Sequence, residues 1–276
     1  MTIVGTFFVP HGSMILDPSK FPEKPEVRQL HDAMNEIGRK ITELKPDLIF
    51  LTTPHSISLS KEYGIYMNKK AHGTAEWEGE FSEFKVDIEL DQNNSEKLLE
   101  FLNEKGILST GITNYSPSVG TAYMRWGETV PLWFIKDVKT KFILMSQPLT
   151  RYRPLDITNE LLLMGRSLNQ YFRTIPERVV FLISGDLAHT HEKGLQYDYS
   201  PLAEPFEEII EKWVENRELN TLVLEAGQYL DEVLCCGFAG LLIIQGLLEK
   251  REIKSKVLIR KHPSYYGMMV AEFLEN

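Results

Sequence analysis

Apolar residues along the chain fall into two rhythms. In the first, they occupy consecutive positions over short stretches: Ile3 to Val9, which stops at Pro10; Asp47 to Thr53, which stops at Pro54; Lys141 to Met145; Arg178 to Ile183; and Lys256 to Ile259. Runs that are apolar on both faces and rich in β-branched and aromatic residues predict buried parallel strands. In the second rhythm, Val27, Leu30, Met34, Ile37 and Ile41 recur every three or four positions and predict a helix over Pro25 to Leu44. Further helices are expected over Asp156 to Phe172, Pro205 to Asn216 and Phe238 to Lys250. Tyr63 to Leu90 alternates weakly between turn formers and reads as a strand-and-loop excursion. The order strand, helix, strand predicts a parallel crossover. The whole reads as an α/β three-layer sandwich, with a mostly parallel central sheet flanked by helices. No linker or repeat divides residues 1–276, so a single domain is expected.

Composition narrows the function classes. The 276 residues are 43% hydrophobic, 11% aromatic and 25% charged, an ordinary globular balance that sets aside disorder and disulfide scaffolds. The net charge of −9, without a basic cluster, argues against nucleic acid and anionic membranes as partners. The longest apolar run, Phe238 to Leu248, is too short to span a bilayer. No signal peptide is visible, and the two cysteines, Cys235 and Cys236, are adjacent and cannot staple distant segments. A reducing, cytoplasmic setting is expected, with a homo-oligomer as the assembly.

Three of the seven histidines lie just past predicted strands. His11 follows Val9-Pro10, His55 follows Thr53-Pro54, and His189 follows Ser184-Gly185-Asp186-Leu187-Ala188. In an open α/β sheet, ligands bind beyond the carboxyl ends of the strands, so these imidazoles can converge on one point. Histidine is both the commonest metal ligand and the side chain suited to proton transfer near neutral pH. An isolated loop histidine reads as one that satisfies nearby backbone groups; three at successive strand ends favour a shared site. His31 falls within the first helix and is expected at the surface or an interface, and His72 falls in a polar loop. His262, after a late strand, is weighed as a cleft residue and set aside.

These residues resemble the type III extradiol catechol dioxygenase superfamily, which includes the Memo-like proteins. The matching pieces are Val9-Pro10-His11, Thr53-Pro54-His55, Ser184-Gly185-Asp186-Leu187-Ala188-His189 and Cys236-Gly237, with Gly127-Glu128-Thr129-Val130-Pro131-Leu132 as a weaker one. The resemblance implies a mononuclear non-haem Fe(II) site, with His11 and His55 as imidazole ligands and a carboxylate as the third. A two-histidine, one-carboxylate triad leaves open positions for substrate and dioxygen. The resemblance also implies that His189 is the acid/base histidine, and Asp186 would orient that region.

The sequence departs from the ring-cleaving enzymes in two places. No carboxylate sits at the start of the helix after Cys236, and cysteine there resembles the Memo-like branch. Glu232, four residues upstream, would share a helical face with Cys236. Ligand chemistry favours Glu232 as the third ligand; motif position favours Cys236, whose sulfur would accept Zn(II) or copper. In the second departure, Arg125-Trp126-Gly127 stands where those enzymes often carry Asp-His-Gly. Arg125 would then pair with a substrate carboxylate or oxyanion, and Tyr115, Tyr123 and Trp126 would wall an aromatic pocket. The resulting expectation is extradiol cleavage of a catechol-like or aminophenol-like substrate by Fe(II) and O₂, without an organic cofactor. The alternatives are a Memo-like copper- or iron-binding protein and a zinc-dependent hydrolase.

Overall fold

The computed structural model describes residues 2–193 and 197–275. The chain opens with β1 (Ile3–Val9), α1 (Pro25–Leu44) and β2 (Leu48–Thr53), the crossover that the apolar spacing predicts. It continues through β3 (Tyr63–Tyr66), β4 (Lys70–Thr74), β5 (Lys85–Glu89) and α2 (Gln92–Glu104). Then come β6 (Ser109–Ile112), β7 (Ala122–Met124), α3 (Trp126–Trp133) and β8 (Lys141–Ser146). The second half runs α4 (Thr158–Phe172), β9 (Val179–Ser184), α5 (Ala203–Asn216), α6 (Leu230–Val233) and α7 (Phe238–Leu248). A hairpin of β10 (Ile253–Lys261) and β11 (Met268–Glu275) completes it.

Eight strands form one sheet in the order β10-β11-β1-β9-β2-β8-β3-β6, and β5-β4-β7 form a second, smaller sheet. The middle four strands are mutually parallel, while β11 runs antiparallel to β1 and β3 antiparallel to β8. Val9 pairs with Ser184, Thr52 with Ile183 and Thr53 with Ser146. The four parallel strands therefore end level, and whatever follows each of them emerges along one edge.

Alternation within each strand decides which layer a side chain joins. Phe7, Val9, Ile49, Leu51, Val180 and Leu182 share a core with Val27 of α1, Val130 of α3 and Val86 of β5. Their neighbours Phe8, Phe50 and Phe181 share the opposite core with Leu98 of α2, Leu161 of α4, Phe206 of α5 and Phe238 of α7. A strand buried on both faces needs apolar residues at every position, which is why these segments read as continuous runs.

The structure adds elements the hydrophobic pattern does not announce. Residues 63–90 become β3, which joins the main sheet, and the β4–β5 hairpin of the small one. His72 is therefore on a strand rather than in a loop, with Nδ1 2.8 Å from Asp87 Oδ1. His31 is half-buried on α1, its Nδ1 2.7 Å from the Ile15 carbonyl. In α2 the buried face carries Asn94 and Ser95 beside Leu98 and Leu102, so its stripe is weak. In α3 a proline, Pro131, sits inside the helix. Among the described residues no helix is long and apolar enough to cross a membrane.

Helices α4 and α7 touch through glycines. A Cβ at Gly246 would come within 2.2 Å of the Leu162 carbonyl oxygen, and one at Gly165 within 2.2 Å of the Ile243 oxygen. Backbone atoms cannot swing aside as a side chain tip can, so larger residues must separate the helices. Gly246→Val should destabilise the fold by roughly 1–3 kcal/mol, the range for overpacking a tight interior. A lower urea midpoint at unchanged slope tests this; a midpoint equal to wild type would show that the helices separate freely.

Candidate metal centre

The level strand ends deliver the first two candidate residues. His11 leaves β1 and His55 leaves β2; their rings meet edge to face with centroids 4.9 Å apart. The third comes from the far side of the chain. Gly185, after β9, and Gly237, before α7, approach so closely that a Cβ on Gly185 would lie 2.6 Å from Gly237 Cα. The Gly237 amide donates to the Asp186 carbonyl at 2.9 Å. This contact carries Cys236 to the sheet edge, with Sγ 3.5 Å from His11 Nε2. One nitrogen from each of His11 and His55 and the Cys236 sulfur lie within 4.8 Å of one another.

The protonation of these donors follows from their surroundings. Ser184 Oγ donates to the Gly127 carbonyl at 2.7 Å, so its lone pair is left to accept from His11 Nδ1 at 3.0 Å. That fixes the proton of His11 on Nδ1 and leaves the Nε2 lone pair facing Cys236, the arrangement in which an outer hydrogen bond orients a metal-binding imidazole. Burial holds the His11 pKa well below its ordinary value, aided by His55 and His189. Burial likewise lowers His55 to about 3, with the positive field of Arg151 next in importance. Both rings are neutral and present lone pairs. Burial pushes the Cys236 thiol well above its ordinary pKa, with Asp186 adding to the shift. Two neutral imidazoles and a thiol form a donor set that fits a tetrahedral or open-sided transition-metal ion. Bonds of about 2.0–2.3 Å require donors roughly 3.3–3.8 Å apart, so small side-chain adjustments complete the fit.

Asp186 lies behind this set. Its Oδ1 accepts the His11 backbone N–H at 3.1 Å, its Oδ2 stands 3.3 Å from His11 Nε2, and its amide donates to Cys236 Sγ at 3.3 Å. It thus braces both the β1 exit and the cysteine. Burial raises its pKa to about 7.

His189 is held beside the three donors by its amide, which donates to the Val233 carbonyl at 2.7 Å. Desolvation lowers its pKa to about 4. It does not belong to the close donor group. Tyr197, Tyr265 and Tyr266 surround its ring at centroid distances of 5.6–6.2 Å. Two cavities meet at His55, His189 and Tyr197: a narrow lobe of about 90 Å³ walled by His11, Trp77 and Trp126, and a larger one of about 610 Å³ reaching Cys236.

Several expected site residues are elsewhere. Glu232 is exposed on α6, and Leu234 takes a left-handed φ of 55° that ends the helix before Cys236. The two residues therefore share no helical face, and Glu232 stands outside the donor group. Tyr115 and Tyr123 are 88% and 54% exposed and line neither lobe. Arg125 is exposed, with its guanidinium over the Trp126 ring at 4.9 Å rather than in the cleft. Trp126 alone of that segment reaches the cavity, stacked on His55 with centroids 5.3 Å apart. It is anchored by the next turn of α3, where buried Glu128 accepts from the Arg125 amide and the Tyr66 hydroxyl, both at 2.9 Å.

Sequence reasoning missed Trp77, Tyr197, Tyr265 and Tyr266. The last two lie in Pro263-Ser264-Tyr265-Tyr266-Gly267, a turn signal directly before β11. Because β11 is antiparallel to β1, it begins where β1 ends, so this turn falls on the edge that carries the histidines. A Cβ on Gly12 would lie 2.5 Å from the Tyr266 ring, so glycine after His11 lets that ring close the cleft.

Comparison with known proteins places the chain in a family and finds its fold in a solved structure. The chain is 22% identical over 300 residues to Protein CA_C1420 of Clostridium acetobutylicum; the match takes in all of this chain but 59% of the relative, so the chain spans about three-fifths of that protein's length. The fold is similar to that of the uncharacterised protein JW3007 from Escherichia coli K12, with a TM-score of 0.60, 14% identity, and coverage of 98% of this chain and 99% of the other. Residues 5–271 match the family described as the catalytic LigB subunit of aromatic ring-opening dioxygenase, and the chain belongs to that family.

Proposed function

We propose that the protein is a metal-dependent dioxygenase that opens the ring of a catechol-like or aminophenol-like substrate, with His11, His55 and Cys236 holding one metal ion and His189 moving the proton. The observation that carries this reading is the meeting of those three donors at the junction of two cavities, with a neutral histidine beside them. When bound, an iron(II) ion would supply a point at which adjacent substrate oxygens and dioxygen are held together and the substrate hydroxyls are acidified. Both oxygen atoms enter the product, so no external reductant is required.

The chain's own residues account for the rest. The larger lobe has room for an aromatic ring, and Arg153, Asp156 and Asp231 on its wall give the substrate's polar groups partners. The indoles of Trp77 and Trp126, with centroids 4.4 Å apart, wall the narrow lobe beside His55. His189 is neutral at physiological pH and offers a lone pair to a substrate hydroxyl. It takes that proton as general base and returns one as acid when the ring opens. The hydroxyl of Tyr266, whose pKa burial raises well above its ordinary value, stays protonated on the same wall.

The sulfur of Cys236 favours a second reading, a copper- or iron-binding protein of the Memo-like kind, because thiolate suits softer metals. Metal analysis of protein purified without oxygen separates the two. Stoichiometric iron with O₂ uptake on a catechol supports the dioxygenase; copper without turnover supports metal handling and overturns it.

Two variant series bear on the residue roles. Cys236→Ser should lose the metal and all ring opening, while Glu232→Gln should keep both; metal analysis and O₂ consumption report each. Metal retained in the serine variant but lost in the glutamine variant would return the third position to Glu232. His189→Phe should keep metal and substrate binding and lose about 10²–10⁴ in turnover, the usual contribution of a positioned acid/base group. Loss of metal from that variant would make His189 a ligand instead.

A further inference from the structure

A second group of donors lies outside the cleft and serves no part of the mechanism above. One donor atom from each of His191, Glu204 and His262 lies within 4.8 Å of the others. They come from three separate segments: the loop after β9, the start of α5, and the residue after β10. The rings of His191 and His262 are parallel to within 2° with centroids 4.1 Å apart. His191 is almost fully buried, whereas His262 and Glu204 are about half exposed.

Their hydrogen bonds set out the free donors. His191 Nε2 lies 2.8 Å from Oε1 of Glu207, a carboxylate with no solvent exposure. A buried carboxylate that takes one ring N–H of a histidine fixes the ring and leaves the lone pair on the other nitrogen, the second-layer arrangement that metal-binding histidines usually have. The His191 backbone is also pinned, its amide donating to the Tyr265 carbonyl at 2.9 Å. Glu204 uses Oε1 to accept from Arg260 at 2.8 Å and keeps Oε2 toward His262, 3.8 Å from its Nε2. One guanidinium thus fixes Glu204 as well as Glu207, to which it donates at 3.1 Å. Arg260 adds positive charge nearby, which lowers cation affinity without removing any of the three donors. The exposed His262 ring is free to turn out of the stack and bring its nitrogen to a shared ion.

We propose that His191, His262 and Glu204 form a second metal site, separate from the cleft, for a divalent ion of the zinc class. Two imidazoles and one carboxylate oxygen are the donor types such ions take, and the solvent-facing side leaves room for water as the fourth ligand. The site ties the cleft wall together: His191 is two residues from His189, and His262 is three from Tyr265. An ion there cross-links the acid/base loop to the turn that carries the tyrosines, so occupancy should stiffen that wall.

The test is a titration of chelator-stripped protein with Zn²⁺, followed by calorimetry and by thermal unfolding. Wild type should take two equivalents. His262→Ala should take one, and Glu204→Gln, which keeps the hydrogen bond from Arg260, should weaken the second equivalent by roughly tenfold or more. The inner site is removed independently with His55→Ala/Cys236→Ser, which should retain one equivalent and a Zn²⁺-dependent rise in Tm. Adding His262→Ala to that double variant should abolish both. Two equivalents in His262→Ala, or no Zn²⁺ bound by the double variant while wild type binds one, would overturn the outer site. Neither result would touch the assignment of the cleft residues, which rests on separate donors.

Discussion

The contact between Gly185 and Gly237 is the constraint on which the centre depends. Strand ends alone bring His11 and His55 to one edge, because β1, β9, β2 and β8 are parallel and in register. Among the described residues, no group at the strand ends joins these two histidines in the close donor group. The third donor arrives only because two residues without side chains let the loop after β9 lie against the start of α7, with Gly237 N–H bonded to the Asp186 carbonyl. A Cβ at either position would meet backbone atoms or the Phe8 ring and push the two segments apart. The Ser-Gly-Asp and Cys-Gly pieces are thus two halves of one packing contact, distant in sequence and meaningful only together.

Burial gives this centre its chemistry. Each ionisable group in it is pushed toward its neutral form: His11, His55 and His189 downward, Asp186 and Cys236 upward. For a set of imidazoles this is an advantage, since only the neutral ring has a lone pair for a metal or a proton. For the thiol it is a cost, because the sulfur must shed its proton into a dry pocket. The charge of an incoming cation would offset that cost directly, so that metal uptake and thiol ionisation would be one event. Arg151, buried and without a carboxylate partner among the described residues, lowers the cost further through its field at Cys236.

Much of this was legible in the sequence, and what was not has identifiable physical reasons. Continuous apolar runs marked four central strands because burial on both faces demands them, and Pro-His steps marked where two histidines leave the sheet. The small sheet was obscure because its strands, such as Lys70–Thr74, are buried on one face only and short. The β11 strand, Met-Met-Val-Ala-Glu-Phe-Leu-Glu, has no local feature separating strand from helix; its partners β1 and β10 decide. Tyr115 and Tyr123 looked like pocket residues by composition, yet composition says nothing about direction, and Tyr123 points outward from β7 between buried Ala122 and Met124.

The case of Glu232 shows how one backbone angle outweighs ligand chemistry. A carboxylate four residues before a cysteine is a good partner only while the helix runs unbroken through both. Leu234 adopts φ 55° at the end of α6, a conformation that costs a non-glycine residue roughly 1–3 kcal/mol and persists only where the surroundings enforce it. Here they do: the Leu234 amide donates to the Leu230 carbonyl, and the chain must turn inward at once for Gly237 to reach Asp186. The same turn that sends Glu232 to solvent delivers Cys236 to His11. The fold sets the sulfur, not the carboxylate, beside His11 and His55, a donor group softer than two histidines and a carboxylate.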